Sequence, residues 1–168
     1  MNSTIKATTS LSLLFSLDDL GGLEMSAWNV EDAVKMLNGR AKDHSLGRCA
    51  EYTRIAIEAG GVVLKRHISA KNYGSSLLAV GFTTLSPDVS LFKAGDVAII
   101  QPIKGHPHGH MAMFNGKIWI SDFKQNHGYY PGPTYRKIKP PVTIYRYGSQ
   151  SEQTFIFAPV YAVDHSLA

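Results

Sequence analysis

Apolar residues follow two regimes along the chain. From about residue 30 to residue 80 they recur at the three-and-four spacing of one helix face. After residue 96 they come as short runs rich in β-branched and aromatic side chains, bounded by Gly, Pro and Asn. In the first regime Ala33, Val34, Met36 and Leu37 form a stripe that Asn29 can cap, with Glu31 and Asp32 in the first turn and Asn38-Gly39 as the stop. Ser45 is the candidate cap of a second helix, which carries Cys49 in or just after its first turn and ends at Gly60-Gly61. Ser69 can cap a third, running through Tyr73, Leu77 and Leu78 to Gly81. In the second regime Val97–Ile100, His110–Phe114, 118–123, Val142–Tyr147 and 155–160 read as strands. Helices first and strands afterwards predict an α+β domain, its helices packed on one side of an antiparallel sheet. Residues 1–27 read as an N-terminal arm, 28–168 as a single domain, and 125–141, with four prolines, as the longest loop.

Composition narrows the class. A chain of 168 residues that is 44% hydrophobic and 18% charged can bury one core and is not generally disordered. The net charge of +4 favours an anionic partner such as nucleic acid, a membrane surface or cell wall, without choosing among them. Arg136, Lys137 and Lys139 beside Tyr135 form a small basic cluster, but no nucleic-acid motif accompanies it and a solvated face is the expectation. No P-loop or dinucleotide fingerprint is present. One cysteine allows no internal disulfide, so the fold does not depend on an oxidising compartment. Residues 11–17 are apolar but short, follow a single lysine, Lys6, and run into Asp18 and Asp19, so no ordinary signal peptide is expected. No apolar run reaches the roughly 18 residues of a membrane-spanning helix, so no membrane insertion is expected.

The lone cysteine carries the candidate chemistry. A helix N-terminus offers unpaired N–H groups and a positive dipole end that favour a thiolate, and Arg48 adds a cation next to Cys49. A free cysteine is also a common buried hydrophobe, so position alone does not decide. The base would come from GHPHGHMAMF. His106 and His108 lie among Gly and Pro, whereas His110 opens an apolar strand that would hold its ring rigidly. Asn115-Gly116 marks a hairpin, and Asp122 on the return strand is the candidate third member, accepting a hydrogen bond from the imidazole. Parity makes this specific: a two-residue turn pairs His110 with Ser121 and turns Asp122 away, whereas a three-residue loop with a Gly116 bulge puts His110 and Asp122 on one face.

The H-x-H-x-H run could suggest zinc. Pro107 and Gly109 argue against the regular strand such a site would need, and no second ligand cluster lies nearby, so no metal or cofactor is expected. Tyr52, Tyr73, Gln101 and His108 are candidate substrate-binding residues, although a tyrosine with a buried ring and a wet hydroxyl is the commoner outcome, and Gln101, which could supply an oxyanion-hole amide, is expected rather to bond a loop.

RCAEYTRIAIEAGG, KAGDVAIIQP and GHPHGHMAMFNGKIWISDFKQ, in that order, resemble the papain-like cell-wall amidases of the CHAP and NlpC type, and GHMAMFNG and WISDFKQ look most like amidase effectors of type VI secretion. The resemblance covers about residues 28–147. It implies a papain-like cysteine peptidase fold and hydrolysis of an amide bond in peptidoglycan stems or crosslinks. It places the nucleophile at Cys49, the base at His110 and the third polar residue at Asp122. It also implies injection by secretion machinery into the periplasm of a neighbouring cell, without an ordinary signal, and an immunity protein that blocks the cleft. Two other readings stay open: a non-enzymatic wall-binding or inhibitor module on the same fold, and a cysteine hydrolase acting on protein.

Overall fold

Asn29 starts the first helix as its sequence suggests. Its Oδ1 accepts the N–H groups of Glu31 and Asp32 at 3.0 and 3.1 Å, and α1 runs Val30–Arg40. The computed structural model describes residues 28–86, 89 and 91–148; the N-terminal arm and the strand expected at 155–160 lie outside them. Helix α2, Cys49–Ala59, packs beside α1, and the two bury Ala33, Leu37, Ala56 and Ile57 against a sheet. At roughly 1.5–3 kcal/mol for a fully buried large apolar side chain, Leu37 and Ile57 anchor that layer.

Among the described residues the sheet has six strands: β1 Phe82–Thr84, β2 Val97–Ile100, β3 His110–Phe114, β4 Trp119–Ile120, β5 Lys124–Gln125 and β6 Val142–Tyr147. Their spatial order is β1-β6-β2-β3-β4-β5, with every neighbouring pair antiparallel. Val97, Ile99, Met111, Met113, Ile120 and Tyr145 join the helices in the main core. On the reverse face Ala98, Ala112, Trp119 and Ile144 are covered by Phe92, Phe114 and Tyr129. Aromatic side chains close that side, with Tyr135 packed on Ile100, so all four residues of β2 are buried. A partly buried ion pair ties β6 to the residue before β2: Arg146 donates Nε and Nη2 to Asp96, both at 2.7 Å.

Several elements differ from the sequence reading. Ser45 does not cap α2; the cap position is Arg48, and Ser45 Oγ accepts the Gly47 N–H instead. The third helix is split into a 3-10 turn, Ala70–Asn72, and α3, Gly74–Ala79. The segment 125–141 contains α4, Pro133–Ile138, which carries Arg136 and Lys137, with Lys139 at its left-handed C-cap. The hairpin after β3 is neither of the two expected forms. Phe114 pairs with Trp119 across a four-residue loop, 115–118, closed by an Asn115 N–H to Ile118 O bond and by Asn115 Oδ1 accepting from Lys117 and Ile118. The return strand then ends at Ile120, and Ser121-Asp122-Phe123 turn the chain into β5, where Ile120 pairs with Lys124. No helix among the described residues is long and apolar enough to cross a membrane.

Candidate active site

Cys49 is the first residue of α2, and its place over the sheet is set by the backbone of Met111. Phe114 exchanges its hydrogen bonds with Gly95 and Asp96, so alternation along β3 turns the N–H and C=O of Met111 the other way. There β4, which pairs only with Met113 and Phe114, has already ended. Helix α2 fills the gap: Thr53 Oγ1 donates to Met111 O at 3.4 Å, and the Met111 N–H stabilises the Cys49 thiolate. Positions 49 and 53 are one helical turn apart, so a single face of α2 grips the backbone of one β3 residue on both its N–H and its C=O side. The residue before it is His110.

Gly109, at φ +69°, leads into His110, and a Cβ there would strike the Ile100 carbonyl oxygen, so the approach of this loop to β2 requires glycine. His110 is buried, with Nε2 2.8 Å from Gln125 Oε1. Gln125 is oriented by its other end, since its Nε2 donates to the carbonyls of Gly128 and Tyr129 at 3.2 and 2.8 Å. The amide oxygen must therefore face the ring and accept from Nε2–H, leaving Nδ1 as the basic nitrogen. Burial holds the imidazole down at about 4, against which the Gln125 bond pushes upward. Burial also raises the Cys49 thiol, with the Met111 N–H opposing it. Burial thus disfavours the charged form of both side chains, and a proton has to move from sulfur to nitrogen when the sulfur attacks.

Asp122 does not hydrogen-bond the imidazole as the sequence suggested. The chain has already turned at 121–123, and the buried carboxylate points to the loop before α2, where Oδ2 accepts from Leu46 N–H (2.6 Å), Arg48 N–H (3.1 Å) and Ser45 Oγ (3.4 Å). Ser121 Oγ donates to Oδ1 at 3.0 Å. Burial opposes ionisation, but these donors outweigh it and leave the carboxyl below its usual range. Asp122 thus fixes the turn that delivers Cys49 and acts on His110 only through space. Gln125, which sequence reasoning missed, occupies the position against the ring.

Cys49 and His110 line a cleft of ≈ 460 Å³ walled by the histidine loop 105–109 and by 131–135. Tyr135 on α4 lies beside it, its ring centroid 6.3 Å from that of His110. His108 lines the cleft, its Nδ1 2.8 Å from Ser69 Oγ. The other three expected binding residues do not line this cleft. Tyr52 is buried under the guanidinium of Arg40, 4.6 Å from its ring centroid, because position 52 turns toward α1. Tyr73 is buried at the floor of a neighbouring groove, its hydroxyl bonded to the backbone of His67. Gln101 gives its N–H to Pro141 O at the end of β2 and borders neither groove beside Cys49. Among the described residues no group of three His, Cys, Asp or Glu is placed to hold a metal ion.

No protein-family model matches the chain, and no curated protein does. Solved structures do. The type VI native effector–immunity complex Tae3-Tai3 from Ralstonia pickettii is 52% identical, with a TM-score of 0.68, over 72% of this chain and 100% of that one. The selenomethionine form of the same complex gives 53% identity and a TM-score of 0.64, over 68% and 98%. The fold is thus the expected papain-like one, with the cysteine helix laid on the antiparallel sheet that carries the histidine. Identity at this level over the whole of the solved chain settles the kinship: this chain belongs to the Tae3 family of type VI effectors.

Proposed function

We propose that the chain is a peptidoglycan amidase, a cysteine hydrolase that cuts an amide bond in stem peptides or crosslinks and serves as an antibacterial type VI effector. The observation that carries this reading is the joint placement of Cys49 and the Gln125-bound His110 on one open cleft, in a chain of this family.

In the mechanism, Nδ1 of His110 takes the Cys49 proton as the sulfur attacks the scissile carbonyl carbon. The N–H groups of Cys49 and Ala50, which have no intrahelical acceptor at the start of α2, stabilise the oxyanion. The tetrahedral intermediate collapses, the C–N bond breaks, and His110 returns the proton to the leaving amine. Water, deprotonated by the same nitrogen, then hydrolyses the thioester and frees the thiol. Gln125 keeps Nε2 protonated throughout, so the proton always moves at Nδ1.

The neighbouring solved structures are effector–immunity complexes. A cognate immunity protein that covers this cleft, passage through type VI machinery and action in the periplasm of a target bacterium complete the reading. Mass spectrometry of isolated peptidoglycan digested with the purified protein tests it. New amino and carboxyl termini at one amide bond are the expected product; intact muropeptides would refute the assignment.

A further inference from the structure

Two grooves meet at Cys49. They share Gly47, Cys49 and His108 and then diverge. The cleft described above has no Asp, Glu, Lys or Arg in its lining. The second groove, ≈ 550 Å³, runs between the N-terminal half of α2 and the segment 66–70, and three guanidinium groups line it.

Two of those three are already neutralised. Arg48 holds both carboxylate oxygens of Glu51, at 2.7 and 2.6 Å, and Arg54 is paired with Glu58 one turn further along. Arg66 is exposed and has no acidic partner among the described residues. The wall acid, Glu51, is held by Arg48 and leaves Arg66 uncompensated. A nucleophile that cuts within a peptide needs room for the chain on both sides of the scissile carbonyl, and here one side is uncharged and the other cationic. A guanidinium matches a carboxylate in shape and can bind it through two parallel hydrogen bonds.

We propose that the second groove seats the arm of the peptide substrate that carries a free carboxylate, and that Arg66 holds that carboxylate. The proposal rests on the amidase reading and adds a binding specificity to it.

The test is steady-state cleavage of soluble stem-peptide fragments, supplied as free acids and with each carboxyl converted in turn to the carboxamide. The enzymes compared are wild type, Arg66→Gln and Arg66→Lys. Arg66 makes no ion pair among the described residues, so both variants should melt with the wild type. One particular amidation should raise the wild-type KM about tenfold while leaving kcat within about twofold. Arg66→Gln should show that raised KM on the free acid and no longer distinguish acid from amide, while Arg66→Lys keeps part of the preference. A wild type indifferent to every amidation, or an Arg66→Gln enzyme with its preference intact, overturns the assignment but leaves the amidase reading standing. Failure of the wild type to cleave either the fragments or intact peptidoglycan overturns both.

Discussion

Gln125 presents its amide oxygen to His110 Nε2 at 2.8 Å while its amide nitrogen is held by two backbone carbonyls. An amide fixed at its nitrogen end cannot flip, so the tautomer of the imidazole is fixed with it. Gln125→Ala should lower kcat about 10- to 100-fold with KM little changed, because the ring loses its orientation and not its substrate. Gln125→Glu would set a carboxylate against the ring, which favours the imidazolium, and should move the acidic limb of the pH–rate profile upward. An unchanged limb in Gln125→Glu would contradict the contact.

Asp122 predicts a different signature. Its carboxylate anchors the turn that ends at Arg48, one residue before Cys49. Asp122→Asn turns an acceptor of several donors into a group that is itself partly a donor, which should cost about 2–3 kcal/mol in denaturant unfolding. Activity should fall with the misplaced thiol, but the acidic limb should stay close to its wild-type position. A limb that moved as far as in Gln125→Glu would make Asp122 the orienting group after all.

The burial of His110 makes stability depend on pH with a definite sign. The folded imidazole is held at about 4 against an unfolded value near 6.5, so between those values the unfolded chain binds more protons. This contribution is complete above about pH 6.5 and is lost as pH falls toward 4, by on the order of 3 kcal/mol. Urea titrations at pH 7 and pH 4.5 should show a smaller loss in His110→Asn than in wild type. The same low value predicts that kcat/KM climbs through an acidic limb near pH 4 and is flat from pH 6 to 7, because the base is neutral over that range.

Tyr135 is buried beside the site, and its hydroxyl finds no partner among the described residues. Removing an unpaired buried hydroxyl without changing the ring should leave stability unchanged or raise it by up to about 1 kcal/mol. Equilibrium unfolding of Tyr135→Phe checks this, and a loss above about 1 kcal/mol would contradict it.

The residues legible in the sequence are those whose signals are local. Asn29 followed by Glu31 and Asp32 is a cap, the stripe on α1 is a core face, and His110 sits at the start of the strand that its flanking residues mark, whereas α2 begins at Cys49, a turn later than a Ser45 cap would start it. The register between β3 and its return strand was not legible. Asn115 closes a four-residue loop with its own side chain, a form that the Asn-Gly pair does not distinguish from shorter turns. Once β4 stops after two residues, parity no longer relates Asp122 to His110. Gln125 lies on a two-residue strand, too short to show alternation, and only the folded chain buries it against the ring. Helix α4 did leave a trace, Gly132 before Pro133 at the first helical position, but the surrounding prolines and glycines read as loop. Tyr52 shows the converse: three residues from Cys49 on a helix is close in space, yet the side chain points to α1 and Arg40.

Attack on the amide by the Cys49 sulfur is read out by the rate at which purified Cys49→Ala solubilises isolated sacculi. That rate should lie several orders of magnitude below the wild-type rate, with the fold intact by circular dichroism. Digestion by Cys49→Ala at the wild-type rate would contradict it.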